Sequence, residues 1–254
     1  MDFASPEIIA TLVGIATLAG FVDAIAGGGG LLTIPALLWV GLSPAQALGT
    51  NKLQAVFGSF AATANFLHKG ELHLAQMLPL VALTFLGAAA GALTVQYLAA
   101  DLLRDLIPLL LIGFGLYFLL SPRVGDLDAH QRVSFRGFAL TAGMGIGFYD
   151  GLFGPGTGSF FALAFVALLG HNLRRATAHA KLLNFTSNLA ALMLFLAGGQ
   201  LVWILGLAMA LGQVVGAYLG SHLVLLHGAR LVRPLLVTVS LAMSLRLLLG
   251  ENGG

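Results

Sequence analysis

The sequence predicts an all-α, polytopic membrane protein of two inverted repeats, each of about five hydrophobic helical elements, with short broken or re-entrant elements after glycine-rich loops. Three observations predict it. Hydrophobic residues make up 58% of the 254 and charged ones only 9%, against about a quarter charged in a soluble globular domain. Apolar runs of about 20 residues are long enough to cross ~30 Å of hydrocarbon as helices, and none shows the alternation of a membrane barrel. The chain also repeats itself: Gly20-Phe21-Val22-Asp23 followed by Gly27 to Gly30 returns as Gly147-Phe148-Tyr149-Asp150 followed by Gly154, Gly156 and Gly158. Duplication within so apolar a chain is the pattern of a protein built from two structural repeats around a central site.

The repeat extends past the glycines. Aligning Lys52 with Lys181 also matches Ala47 with Ala176, Leu53 with Leu182, Ala61-Ala62 with Ala190-Ala191 and Phe66-Leu67 with Phe195-Leu196. Further on, Gly87 and Gly91 match Gly212 and Gly216, and Arg104 and Pro108 match Arg230 and Pro234. The hydrophobic elements of the first half lie near 7–26, 31–42, 44–67, 74–98 and 102–120, and those of the second near 134–153, 158–170, 173–197, 201–226 and 230–249. This divides the chain into a first transmembrane repeat, 1–120, a polar linker, 121–136, and a second transmembrane repeat, 137–254. Gly87, Gly91, Gly212, Gly216 and Gly220 have the small-residue spacing that lets helices approach closely, and packing is their expected use.

The second and seventh elements are too short to cross unaided, so charge decides the topology. If all elements change side, Lys69, Arg123, Arg132, Arg136, Arg174, Arg175, Arg230 and Arg233 fall on one face and only Arg104 on the other, as the positive-inside rule requires. If the short elements return to the side they came from, that bias vanishes. Full alternation is therefore expected, with both termini periplasmic in a bacterial inner membrane and the halves inverted because each holds an odd number of elements. Met1 to Glu7 carries Asp2 and Glu7 but no lysine or arginine, which argues against a cleaved signal peptide. The chain has no cysteine, which removes disulfides and thiolate metal sites, and its formal charge of +2 is spread over loops. That pattern speaks for membrane orientation and against nucleic-acid binding.

The loops Gly27, Gly28, Gly29, Gly30 and Gly154, Gly156, Gly158 are candidates for breaks inside the membrane, where irregular backbone is tolerated only against protein or a water-filled cavity. A helix starting after each would aim its unpaired N–H groups and positive dipole end at a midplane site suited to an anion; the competing reading is a tight turn at the membrane surface. Ser43-Pro44 reads as a helix start, which puts Lys52 about 8 residues, or ~12 Å, into the third element. Lys181 sits similarly deep after Asn172. Such a depth exceeds the snorkelling reach of a lysine, and intramembrane charge is functional by default. Thr177, Lys181, Asn184 and Asn188 share one helical face, while the first half clusters Thr50, Asn51, Lys52 and Gln54. His179 aligns with Thr50 and either carries a proton or packs. Asp23 and Asp150 precede the loops as candidate coupling groups, turn caps or partners of the lysines. Arg246 lies near enough to the end of its segment to snorkel.

Gly20-Phe21-Val22-Asp23-Ala24-Ile25-Ala26-Gly27-Gly28-Gly29-Gly30, Gly49-Thr50-Asn51-Lys52 and the second copy from Gly147 to Gly158 with Lys181 together resemble the sulfite exporter TauE/SafE family, also called the toluene sulfonate uptake permease family. The resemblance covers essentially the whole chain. It implies secondary transport, in or out, of a small sulfur-containing anion such as sulfite or an organosulfonate. The second copy departs from the first in having Pro155 and Thr157 where the first has glycine. The partners expected are a small anionic substrate, the lipid bilayer, a coupling proton and, as an open option, a second copy in a homodimer. No nucleotide-binding motif is present and no cofactor is called for, so energy comes from a gradient or a partner. The alternative is a divalent metal cation carrier using Asp23, Asp150 and His179. A third reading, an intramembrane hydrolase with Ser159 and His179, lacks the supporting geometry that marks such sites, and the chain is expected not to be an enzyme.

Overall fold

Capping residues set where the helices begin. Ser5 accepts from the Ile8 N–H at 3.4 Å and Pro6 occupies the first turn of α1, Pro6–Ala26, a position where the missing proline N–H costs nothing. The helix stops at Gly27, whose φ of 70° is left-handed and whose N–H bonds the Asp23 carbonyl at 2.7 Å; only glycine takes this conformation without strain. The ten-residue α2, Gly30–Trp39, follows at once. A reciprocal cap between Ser43 and Gln46 opens α3, Pro44–His68, and α4 covers Leu74–Gln96. In the second half Ser134 caps α5, Phe135–Phe138. α5 passes through a π-helical turn, Ala139–Gly143, into α6, Met144–Leu152. Then come α7, Thr157–Leu169, α8, Leu173–Ala197, capped by Asn172, and α9, Trp203–His227. The computed structural model describes residues 5–99, 101–103, 105–107, 109–110, 113 and 130–227. The tenth predicted element, much of the fifth, most of the 121–136 loop, and Arg104, Pro108, Arg123, Arg230, Arg233, Pro234 and Arg246 lie outside the described residues.

Every element among the described residues is helical, and the predicted boundaries hold to within about three residues. One element differs in kind. The sequence predicts a single helix over 134–153, where the structure inserts the π turn. Thr84 on α4 donates to the Gly143 carbonyl at 3.2 Å, a tertiary contact at the end of that turn which no hydrophobic period can announce. Helices α1, α4, α8 and α9 are each long and apolar enough to span a membrane. With 25 residues α3 is as long as α8, but Thr50, Asn51, Lys52 and Gln54 interrupt its apolar run. At 1.5 Å per residue α2 covers only ~15 Å, half the hydrocarbon core.

Close approach of backbones organises the packing. On α9, Gly212, Gly216 and Gly220 lie against the carbonyls of Val13, Thr17 and Phe21 of α1; on α4, Gly87 and Gly91 lie against those of Met144 and Phe148. A side chain at any of these would strike backbone. In the repeat alignment α4 corresponds to α9 and α6 to α1, so these are one interface with the halves exchanged. The directions follow from successive contacts. α9 runs parallel to α1, and also to α3, where Leu53 meets Gly206 and the Asn65 amide donates to Ser221 at 2.8 Å. α3 and α8 run antiparallel: Phe60 meets Phe185 at 5.5 Å, and near the start of α3 Thr50 accepts from the N–H of Val202, beyond the end of α8, at 3.0 Å. At one end of the bundle Arg174 pairs with Glu71, and the N–H of Arg132 bonds Leu168 at 2.9 Å. Lys69, Arg132, Arg174 and Arg175 therefore share an end.

Candidate functional site

The two glycine loops touch. Gly27 lies so close to Gly158 that a Cβ on the latter would come within 2.6 Å of the Gly27 Cα, and Gly30 sits against Pro155. The Ser159 hydroxyl donates to the Ala26 carbonyl across the same contact. The N-terminal ends of α2 and α7 thus meet inside the protein, where both dipoles present positive potential. An aspartate sits at each end. Asp23 Oδ1 accepts from the Gly29 N–H at 3.3 Å, and Asp150 Oδ1 accepts from the Thr157 hydroxyl at 2.9 Å. The Tyr149 hydroxyl holds the second loop through the Pro155 carbonyl at 2.6 Å.

Both lysines cross between the halves. Lys52 Nζ donates to Asp150 Oδ1 at 2.8 Å and to the Asp150 carbonyl at 2.5 Å, while Lys181 Nζ donates to Asp23 Oδ2 at 2.9 Å. Of the three readings open for the aspartates, the geometry contains two: both pair with a lysine, and Asp23 also caps the following turn through the Gly29 N–H. Lys52, Asp150 and Lys181 are each 1% exposed and Asp23 is 21% exposed, so one pair is sealed and the other reaches the open side of the site. The four charges sum to zero.

Between the loops and α3, α8 and α9 lies a small polar cavity. Asp23, Gly29, Gly30, Asp150 and Gly154 form its loop side; Asn51, Lys52, Gln54 and Ala55 come from α3, Asn184 and Asn188 from α8, and Gln213 from α9. Carboxamides and charges dominate, so the cavity offers donors and acceptors in a setting where unpaired polar groups are costly. Inside it Asn51 Oδ1 accepts from Thr33 at 2.6 Å and from Gln54 Nε2 at 2.8 Å.

Not every residue singled out in the sequence belongs to this cavity. Gly27, Gly28, Gly156 and Gly158 shape the loops rather than line the space. Lys181 acts there through Asp23. Thr50 caps the segment before α9, and Thr177 bonds the Leu173 carbonyl of its own helix. His179 donates from Nδ1 to the Arg175 carbonyl at 2.7 Å and lies in an aromatic cluster with Phe165 and His171. Of its two readings the structure contains packing. His179→Gln is accordingly expected to leave ligand affinity unchanged while lowering thermal stability, measured by ligand-dependent melting of the purified protein. The metal alternative loses its third ligand for the same reason: among the described residues no three His, Cys, Asp or Glu side chains come together. Ser159 and His179 hold separate partners and form no dyad. Sequence reasoning missed Gln213 and Thr157. The signal for Gln213 was present, a lone carboxamide deep in an apolar run where the aligned first-half residue is Ala88.

Membrane-spanning helices, half-length helices meeting at glycine breaks and a buried polar cavity behind them define a polytopic membrane transporter. The family description "Sulfite exporter TauE/SafE" matches residues 12–247, and the chain belongs to that family. Over 249 residues it is 53% identical to "Probable membrane transporter protein YfcA" of Escherichia coli, covering 98% of this chain and 93% of the relative. It is 49% identical to "Probable membrane transporter protein ORF9" of Sinorhizobium sp, covering 95% and 93%. A "Probable membrane transporter protein" of Haemophilus influenzae is 47% identical, covering 97% and 96%. No solved structure matches. The protein is an integral membrane protein of a transporter family, as the resemblance implied.

Proposed function

We propose that the protein is a secondary transporter, exporter or importer, of a small sulfur-containing or organic anion such as sulfite or an organosulfonate, bound near the membrane midplane between the two repeats. One observation carries this reading: two helix N-termini, one from either half, meet beside a single polar cavity that Lys52 lines and that Lys181 reaches through Asp23. Positive dipole ends and ammonium groups are what a desolvated oxyanion requires. Repeats at 1–120 and 137–254, inverted about this cavity, account for the exchanged interfaces and for the antiparallel run of α3 and α8. The end that gathers Lys69, Arg132, Arg174 and Arg175 faces the cytoplasm by the positive-inside rule, which puts the start of α1 on the periplasmic side of the inner membrane. Asp23 and Asp150 supply the groups through which a proton gradient is coupled.

The test is thermal stabilisation of the detergent-purified protein against sulfite, sulfate, sulfoacetate, short carboxylates, nickel and cobalt. A shift with one anion class is expected, and it should disappear in Asn184→Leu, which fills the cavity without touching an ion pair. Stabilisation by the metals alone would remove the anion reading.

A further inference from the structure

The lysines that should receive an anion are already engaged. Lys52 commits hydrogen bonds to both Asp150 Oδ1 and the Asp150 carbonyl, and Lys181 is bound to Asp23. The four charges balance before any substrate arrives, so a lone anion would bring one uncompensated negative charge into a site enclosed by apolar helices. Such a charge is expensive in a low-dielectric surround. The unpaired atoms point the same way. Asp150 Oδ2 and Gln54 Oε1 are buried without a hydrogen-bond partner, and both residues line the cavity. They are acceptors. An oxyanion bearing only acceptors satisfies neither, whereas a positively charged hydrogen-bond donor supplies what Asp150 Oδ2 lacks and restores neutrality.

From this we infer a second subsite: the transporter takes its anion together with one hydrogen-bond-donating positive charge, bound at Asp150 Oδ2 with Gln54 as its neutral neighbour. The inference rests on the anion reading above and adds the companion. Two sources share this chemistry, a proton taken from water onto Asp150 and the ammonium group of a zwitterionic substrate. Either one weakens the hold of Asp150 on Lys52 and frees the ammonium of Lys52 for the anionic end. Entry of the anion and of its companion are thereby linked through one lysine. The charged and titratable groups around Asp150 are few: Lys52 from α3, Asp23 from α1 with Lys181 from α8 beyond it, and Tyr149 on its own helix. α4 and α7 carry no ionisable side chain. Asp23 is the less suited copy, because one of its oxygens accepts from Gly29 and the other from Lys181.

The experiment is uptake by proteoliposomes of the wild-type protein with two labelled probes of one frame, ethanesulfonate, a fixed monoanion, and taurine, which adds an ammonium group. The expected result is electroneutral transport. Ethanesulfonate accumulates when the outside is acidic and ignores an imposed potassium diffusion potential, which assigns the companion to a proton; or taurine enters without a proton gradient and ethanesulfonate does not, which assigns it to the ammonium. Potential-driven ethanesulfonate uptake with no acid dependence overturns the second subsite and leaves the anion carrier standing. Failure of both probes and of sulfite to bind or move overturns both. In the proton case Asp150→Asn is expected to lose acid-driven accumulation, with its folding checked by melting in detergent. The wild-type result decides the matter if that variant does not fold.

Discussion

Replacing Lys52 with glutamine is expected to cost the folded protein about 3–5 kcal/mol, the penalty for breaking a buried ion pair from one side. Both members are 1% exposed, so neither water nor snorkelling can rescue the charge that remains. Asp150 would keep the Thr157 hydroxyl on Oδ1 but lose its cation, with Oδ2 already unpartnered. Asp150→Asn is expected to be costly as well, since it leaves a buried ammonium facing only neutral carbonyl oxygens. The double variant Lys52→Gln/Asp150→Asn should be more stable than either single one, because amides in place of both charges leave no uncompensated ion. Melting of the four proteins in detergent gives the cycle. Additive losses would mean that the pair does not hold the halves together. The same cycle at Lys181 and Asp23 should show a smaller coupling, because Asp23 is 21% exposed and water screens it when its partner is lost.

What could be read from the chain and what could not divides along a physical line. Periodicity and capping are local, so Ser5, Ser43, Ser134 and Asn172 mark helix starts where the structure has them. The depth of Lys52 also follows from local geometry, a rise of 1.5 Å per residue after a known cap. Its partner does not. Lys52 and Asp150 are 98 residues apart, and no spacing rule connects them; the repeat alignment matched Lys52 with Lys181 and Asp23 with Asp150 but left their pairing as one option among three. His179 shows the converse error. Its alignment with Thr50 and its polarity both suggested a site residue, yet neither position lines the cavity, because one caps a neighbouring segment and the other bonds its own helix. Gln213 lines the cavity although its repeat counterpart is alanine. Repeat symmetry thus marked the glycine loops that frame the cavity, while the cavity lining is asymmetric and depends on which side chains face inward.

That asymmetry extends to the links between the halves. Protein–protein contact at the loop crossing is almost entirely backbone: Gly27 against Gly158, Gly30 against Pro155, and Ser159 on the Ala26 carbonyl. At this crossing the charge pairs add direction to contacts that elsewhere include the Asn65–Ser221 and Thr84–Gly143 hydrogen bonds and the glycine-lined helix interfaces. In the described arrangement the Lys52–Asp150 link is closed and the Lys181–Asp23 link is partly open to solvent. The two pairs thus differ in access although their residues match in the repeat alignment.

Gly27→Ala is the second substitution for which a large effect is expected. Two independent costs fall on one methyl group. The residue sits at a φ of 70°, where an alanine costs about 1–2 kcal/mol relative to a right-handed conformation. Its Cβ would also run into the backbone of Gly158 and Ser159, and backbone at a helix start cannot step aside as a flexible side chain does. The loops must then separate, which draws the N-termini of α2 and α7 apart and with them the Asp23 and Asp150 carboxylates that the lysines bridge. Loss of transport together with a lowered melting temperature is therefore expected. Gly14→Ala supplies the control: it lies within α1, nothing stands within 4 Å of the place its methyl group would take, and alanine favours the helix by up to about 1 kcal/mol. It should transport normally and melt at the same temperature or higher. Equal behaviour of the two variants would show that contact between the glycine loops is dispensable, and the site would then have to be assembled by α3, α8 and α9 without them.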